Sequence, residues 1–227
     1  IIIVEYRDGI PIDTIVRDMQ ISVGECENEP PVVETSLEEI CVVAGQVVEV
    51  TVTATAPINE TNQRVRLTAL GGPFEVSTNK ATFELNDNIF RNDPVVKKFR
   101  WQTDCNHISD QYYSVVFRAT DNFFGDTSGL ATLKTIRIKV VGPPPEDVDA
   151  ESGNGRTEVT WLKPYICEDV TEREFLGFTV WRREGSNVFP IDTCVTGLAG
   201  RGYTKLTLSP ITTMLNDRYY FRFQAKN

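Results

Sequence analysis

The sequence is poor in the residues that most enzymes and nucleic-acid binders depend on. It contains one histidine, His107, and no Cys-x-x-Cys pair among its five cysteines. A Cys/His zinc site needs paired ligands, so structural zinc is excluded. No Lys/Arg cluster exceeds a pair such as Lys97-Lys98 or Arg182-Arg183, and the net charge is −9. Nucleic acid and anionic membranes both require a basic footprint, so neither is expected as a partner. No apolar run approaches the length of a membrane span, so membrane insertion is not expected either. No stretch shows the 3.6-residue period of an amphipathic helix. Ile1 stands where an initiator Met would, and no signal-peptide pattern follows, so the sequence is expected to be a processed or internal segment.

What is present is a β-protein's vocabulary. The 227 residues are 41% apolar, enough for one large or two ordinary cores, and the apolar residues are β-branched and aromatic. Short runs alternate between apolar and polar. In residues 47–56, Val48, Val50, Val52 and Ala54 point one way, and Glu49, Thr51 and Thr53 the other. Residues 113–119 and 135–141 repeat the habit, as do the runs around Trp161, Trp181 and Phe221. Gly71-Gly72-Pro73, Asn92-Asp93-Pro94 and Gly153-Asn154-Gly155 supply turns between them. Regular short strands with this punctuation predict β-sandwiches.

A partial internal repeat sets the boundaries. Residues 1–9 match 114–122 in kind, and 17–24 match 134–142; prolines follow each, Pro30-Pro31 and Pro143-Pro144-Pro145. Residues 1–27 are therefore expected to be the closing hairpin of a preceding sandwich, 29–142 a complete sandwich and 143–227 a further one. A lone hairpin is marginal in water and needs a neighbour. The triple proline predicts a stiff joint that holds successive sandwiches end to end.

Without zinc ligands, the cysteines read as disulfides in an oxidising compartment. Pairing within each sandwich gives Cys41–Cys105 and Cys167–Cys194, closures that contribute about 4 and about 3.5 kcal/mol on a loop-entropy model. Cys26 is left over, with its partner expected upstream.

Trp161 in an alternating run, Gly177 opening the run to Glu184, and Tyr219-x-Phe221-x-Phe223 resemble strands B, C and F of a fibronectin type III module. That resemblance assigns Trp161 to the core, makes Tyr219 a loop-anchoring tyrosine bonded to backbone, and implies a last strand G after Asn227. Residues 112–145 resemble the closing strands of cadherin-like or immunoglobulin-like repeats. As a set, the segments around Cys26, Cys41, Gly71, Trp101 and Tyr113, followed by a cysteine-paired fibronectin type III module, resemble large secreted proteins of the Bacteroidota that carry gliding-motility-associated C-terminal domains. The fold so implied is all-β, with tandem Ig-like/cadherin-like and fibronectin type III sandwiches. The resemblance implies an outer cell-surface location, export through type IX secretion, and a role in adhesion or gliding.

Candidate sites follow. Calcium is the cofactor that a cadherin-like junction implies, with Asp121 at a strand end and Glu27, Asn28 and Glu29 in an acidic linker as ligands. Against this, Asp121 and Asn122 also suit an Asx turn. Trp181 with Arg182 and Arg183 forms a candidate binding patch for a sugar or a protein. Thr14, in Asp13-Thr14-Ile15, matches the O-glycan acceptor pattern of the resembled group, and Asn59-Glu60-Thr61 is an N-glycosylation triplet. Cys105, His107 and Asp110 are the nearest approach to a nucleophile–base set, but Cys105 is better used in a disulfide. No GxSxG elbow occurs. The chain is therefore expected not to be an enzyme. Its expected partners are other domains of the same long protein, secretion or motility machinery, and surface polysaccharide. The alternatives are a binding module and an accessory region of a secreted hydrolase.

Overall fold

The computed structural model describes residues 2–16, 18, 28–57, 63–123, 129–170, 175–185, 194 and 198–224. Among the described residues, seventeen strands run in chain order: β1 (Ile2–Arg7), β2 (Ile10–Val16), β3 (Val32–Thr35), β4 (Glu39–Val43), β5 (Val47–Thr55), β6 (Arg64–Gly71), β7 (Thr82–Phe83), β8 (Arg91–Asn92), β9 (Val95–Gln102), β10 (Tyr113–Asp121), β11 (Ala131–Val141), β12 (Asp149–Gly153), β13 (Arg156–Leu162), β14 (Trp181–Arg182), β15 (Thr204–Lys205), β16 (Met214–Leu215) and β17 (Arg218–Gln224). Among the described residues there is no α-helix, and the protein is all-β.

Residues 32–141 form a two-sheet sandwich. One sheet has the order β3-β5-β9-β7, the other β4-β11-β10-β6-β8. The chain changes sheet between β3 and β4: β3 pairs antiparallel with β5, and β4 then runs parallel to β11. This order corresponds to the strand distribution of an immunoglobulin-type sandwich. Alternation decides the core. Val48, Val50, Val52 and Ala54 of β5 are buried against Val115, Phe117 and Ala119 of β10 and Ile136 and Ile138 of β11. Phe99 and Trp101 of β9 are fully enclosed, with Phe99 edge-on to both Phe74 and Phe117. Burying each such side chain contributes about 1.5–3 kcal/mol.

Lys97 breaks the pattern. It occupies an inward position between Val95 and Phe99 and is 2% exposed. Its Nζ donates to the carbonyls of Leu67 at 2.7 Å and Leu85 at 2.5 Å, above the Phe83 ring. Burial lowers its pKa, because desolvation disfavours the charged form.

The second unit has the sheet β12-β13-β17-β16 and a two-stranded sheet, β14-β15. Its core is a cluster of rings. Phe178 lies 5.0 Å from Trp161, 4.9 Å from Tyr219, 5.2 Å from Tyr165 and 5.2 Å from Phe175, mostly edge-to-face. The fibronectin-type assignment of Tyr219–Phe223 to strand F is corrected. Trp161 and Tyr219 are direct register partners in one sheet, so β17 lies beside β13 rather than across the core from it. Tyr219 is buried as expected, but its hydroxyl donates to the Glu168 carboxylate, not to a backbone carbonyl.

Turn chemistry accounts for the three short hairpins. Asp8-Gly9, Asn154-Gly155 and Asn216-Asp217 are two-residue loops in which both residues have positive φ. That conformation matches strand twist and selects Asn, Asp and Gly. The first hairpin carries Ile2, Ile3, Tyr6, Ile10, Ile12, Ile15 and Val16 exposed. Cys26 and Glu27 lie outside the described residues, as does Asn59-Glu60-Thr61.

The hydroxyl–carboxylate pair makes a pH prediction. Burial, and then Glu168, push the Tyr219 pKa up to about 12. Burial also acts to raise Glu168, but donation from Tyr219, the Tyr165 N–H and Lys163 outweighs it and lowers that carboxyl. A phenol whose folded pKa lies above its unfolded value near 10 adds stability that is complete below about pH 10 and lost as pH rises toward about 12. Tyr219→Phe is expected to cost about 1.5–3 kcal/mol at neutral pH and to flatten that alkaline decline. Urea midpoints measured across the alkaline range check both; an unchanged slope would show that Tyr219 does not carry the effect.

Candidate functional site

The chemistry-bearing residues converge at the joint between the two units. Cys105 begins a 3-10 turn, Cys105–His107, capped by Asp104, whose Oδ1 accepts from the Asn106 N–H at 2.8 Å. Asp104 Oδ2 accepts from the Thr78 hydroxyl at 3.0 Å and from Asn79 Nδ2 at 2.7 Å. Burial opposes ionisation of Asp104, but these donors lower its pKa. His107 is 2% exposed. Its Nδ1 accepts from the Asp104 N–H at 2.9 Å, so Nε2 carries the hydrogen and donates to the Thr78 carbonyl at 2.9 Å. The Cys105, His107 and Asp110 trio therefore does not form a catalytic set. Both imidazole nitrogens are occupied by backbone, and Cys105 Sγ is in a disulfide.

The disulfide pairing expected from sequence is corrected. The structure joins Cys41 to Cys194 and Cys105 to Cys167, with Cα separations of 6.0 and 5.4 Å. The reason lies in the sheet switch. Cys41 is on β4, paired beside Lys139 of β11, whereas Cys105 follows β9 in the opposite sheet. Both sit near the end where the chain leaves at Gly142, and each reaches into the second unit instead of toward the other. Closing 153- and 62-residue separations contributes, taken singly, about 5 and about 4 kcal/mol on the loop-entropy model.

Polar contacts reinforce this joint. Tyr165 Oη donates to the Pro143 carbonyl at 2.8 Å, and a side chain at position 142 would stand 2.7 Å from that hydroxyl, so Gly142 makes room for it. The Leu162 N–H bonds to the Glu146 carbonyl at 2.9 Å, and Arg218 clasps Asp147 at 2.6 Å. The linker is thus fastened along its length to the second unit. A groove of about 290 Å³ beside Cys105–Cys167 is lined by Ile108, Ser109, Tyr165 and Phe175.

The calcium ligands fare differently. Asp121 is fully buried; its Oδ1 accepts from the N–H groups of Phe123 at 3.1 Å and Leu130 at 3.3 Å, and its Oδ2 from Asn28 Nδ2 at 3.0 Å. A Cβ at Gly129 would collide with this carboxylate, so glycine there allows the close approach. Donors point at both oxygens, Glu29 is exposed, and no group of three His, Cys, Asp or Glu side chains converges among the described residues. A calcium ion needs six to eight oxygens turned toward it. Asp121, Asn28 and Glu29 do not fit one; Glu27 lies outside the described residues. Asp121 instead ties Asn28, just before β3, to the β10–β11 connection.

The proposed binding patch is split. Arg182 lies over the Phe223 ring at 5.8 Å and Arg183 over Tyr203 at 5.4 Å; both line a cleft of about 440 Å³ with Glu184, Thr204 and Gln224. Trp181 is half-buried, donates Nε1 to the Thr179 hydroxyl at 3.1 Å and is not among that cleft's lining. Thr14 is exposed on β2, and its N–H bonds to the Asp13 carboxylate at 2.7 Å.

No family model matches the chain, and no curated protein does. Among solved structures, it is similar to the BIgI domain of beta protein from S. agalactiae bound to CEACAM1, at 18% identity over 50% of this chain and 99% of that one, TM-score 0.34. It is also similar to the sialic acid binding region of a Streptococcus sanguinis adhesin, at 12% identity over 60% of this chain and 45% of that one, TM-score 0.38. The periplasmic chaperone SfaE is similar at 11% identity over 60% and 95%, TM-score 0.35. Likeness of this degree carries nothing about binding, and the all-β class rests on the strands themselves. No described helix is long and apolar enough to cross a membrane.

Proposed function

We propose that this chain is a non-catalytic structural and adhesive segment of a large secreted cell-surface protein, in which successive sandwiches are bolted together and not merely strung on linkers. The observation that carries the reading is the pair of disulfides crossing the joint. Such bonds persist in oxidising, extracellular settings. They fasten two cores whose described residues assemble no nucleophile–base set. Within the resemblance noted from sequence, the parent protein belongs to the Bacteroidota surface proteins exported by type IX secretion, and serves adhesion or gliding motility.

The test is made on intact cells. A membrane-impermeant antibody against the chain is expected to label unpermeabilised cells, and deletion of its gene to reduce surface attachment or colony spreading. Non-reducing peptide mapping of the native protein is expected to recover Cys41 with Cys194 and Cys105 with Cys167. Free thiols at these four positions, or labelling only after permeabilisation, would remove the proposal. Intact mass of the same material reads O-glycosylation at Thr14 as mass above that of the polypeptide.

The arginine-lined cleft favours a second role at the same surface, in binding an acidic polysaccharide or an acidic segment of the secretion machinery. Arg182→Ala with Arg183→Ala is expected to abolish retention on acidic glycans while lowering the thermal midpoint only slightly, by the loss of two cation–ring contacts. Retention equal to that of the native chain would dismiss it.

A further inference from the structure

The order of the cysteines along the chain has a mechanical consequence. Cys105 and Cys167 both lie between Cys41 and Cys194, so the second disulfide is nested inside the loop closed by the first. From the nesting we propose that the Cys41–Cys194 bond is a tension shunt. Once the strands outside the bridge have peeled away, β3 from β5, β15 from β14 and β17 from β13, load applied through the two ends of the chain passes from β4 across the sulfurs to Cys194, and the backbone between them bears none of it. This deepens the structural role above, on which only its biological use rests; the load path is tested on the isolated chain.

The topology supports the path at each step. Load entering before Val32 meets β3, which is four residues long, and then the start of β4. Cys41 is the third residue of β4, held in register by β11. Every later strand of the first sandwich, β5 to β11, falls inside the closed loop, as do the joint, β12, β13 and β14. Only what precedes Cys41 and follows Cys194 can lengthen under force. With 153 residue steps closed off, 74 of 227 remain. At about 3.3 Å per extended residue, that limits extension to about 240 Å where an unbridged chain would reach about 750 Å. The length held inside the closed loop is a reserve that force alone cannot release.

Release requires a two-electron reductant. A dithiol such as dithiothreitol attacks one sulfur as a thiolate, expels the other cysteine as its thiolate, and then closes on itself to a cyclic disulfide, freeing the second cysteine. The nested bond is slack until the outer one is cut, which fixes the order of events. Cutting Cys41–Cys194 first frees 153 less 62, or 91, residues, a step of about 300 Å. Cutting Cys105–Cys167 next frees the other 62, a step of about 200 Å. If the reductant has already opened the slack inner bond, nothing lengthens until the outer bond goes, and one step of about 500 Å follows.

The experiment is single-molecule force-clamp extension of the full chain, held by its two ends, with and without dithiothreitol. Without reductant, the expected result is no lengthening past the limit that the closed outer loop sets. With reductant, the longer step, released by the outer bond, precedes the shorter one, released by the inner bond, or the two merge into a single step equal to their sum. A Cys41→Ser, Cys194→Ser variant is expected to gain about 300 Å before any reductant is added. Should that variant fail to fold, the reductant arm on the native chain still decides. Three results overturn the proposal. The first is the shorter step arriving ahead of the longer one, and the second is extension past the closed-loop limit without reductant. The third is a pair of reductant steps of about 210 Å and about 90 Å, the spans 41–105 and 167–194 that within-unit pairing would close. Failure on the cell surface with the expected steps intact would instead count against the cellular role alone.

Discussion

Replacing Asp121 by alanine is expected to destabilise the first sandwich by roughly 3–4 kcal/mol. The carboxylate is fully enclosed and is the acceptor for two backbone N–H groups and the Asn28 amide. Hydrogen bonds to a charged acceptor are each stronger than neutral ones, and removing the acceptor leaves buried donors facing nothing. Asp121→Asn keeps the volume but offers one acceptor oxygen and an NH₂ group to three donors, so it is expected to cost about 2 kcal/mol or more. Thermal midpoints of the three proteins read these differences, with a fall of about 10 °C or more expected for the alanine variant. The same measurement settles the cation question. Adding calcium, or chelating it, is expected to leave the native midpoint where it is, because the N–H donors already occupy the carboxylate. A calcium-dependent rise that disappears in Asp121→Asn would show that these donors yield to a metal ion.

Asp121 also illustrates what a sequence of this kind conceals. A strand-end aspartate before asparagine reads equally as a metal ligand and as the head of a turn, and only the direction of its neighbours' dipoles separates the two. Alternation was legible wherever one side of a strand is buried: Val48, Val50, Val52 and Ala54 share the core face, and Trp161 is enclosed as the resemblance implied. Periodicity of two assigns a residue to a face but is silent on which strand lies alongside. That is why Tyr219–Phe223 was legible as a strand but not as the neighbour of β13. Lys97 sits in phase with Val95 and Phe99 and is buried despite its charge, because the carbonyls of Leu67 and Leu85 supply acceptors.

The cysteines show the same limit at longer range. Within-unit pairing closes the shortest loops, which is the natural inference from spacing alone. What decides the pairing is the sheet switch between β3 and β4, which sends Cys41 and Cys105 out from opposite sheets. No local pattern records such a switch. That Cys105 belongs in a disulfide was legible, but the role of the single histidine was not. The work of His107, bracing the turn that presents Cys105, required the positions of Asp104 and Thr78.

That brace underlies the second large effect. Trp101→Ala is expected to cost about 4 kcal/mol, within the range for truncating a buried aromatic residue to alanine. The indole is fully buried, packs at 4.9 Å from His107 and 5.0 Å from Tyr113, and donates Nε1 to the Asn79 carbonyl at 3.0 Å. It therefore anchors both the core above it and the loop that supplies acceptors and donors to the Cys105–His107 turn. Trp101→Phe fills most of the space and removes the N–H, leaving the Asn79 carbonyl to find another donor; about 1–2 kcal/mol is expected. A double-mutant cycle with His107→Ala checks that Trp101 and His107 act as one unit. Residues in direct contact within one hydrogen-bonded assembly couple by about 0.5–3 kcal/mol, so the double variant is expected to lose less than the two single losses combined. Denaturant midpoints read at unchanged slope supply all four corners. Strict additivity would mean that the tryptophan stabilises the core alone and that the turn presenting Cys105 is held by Asp104 without it.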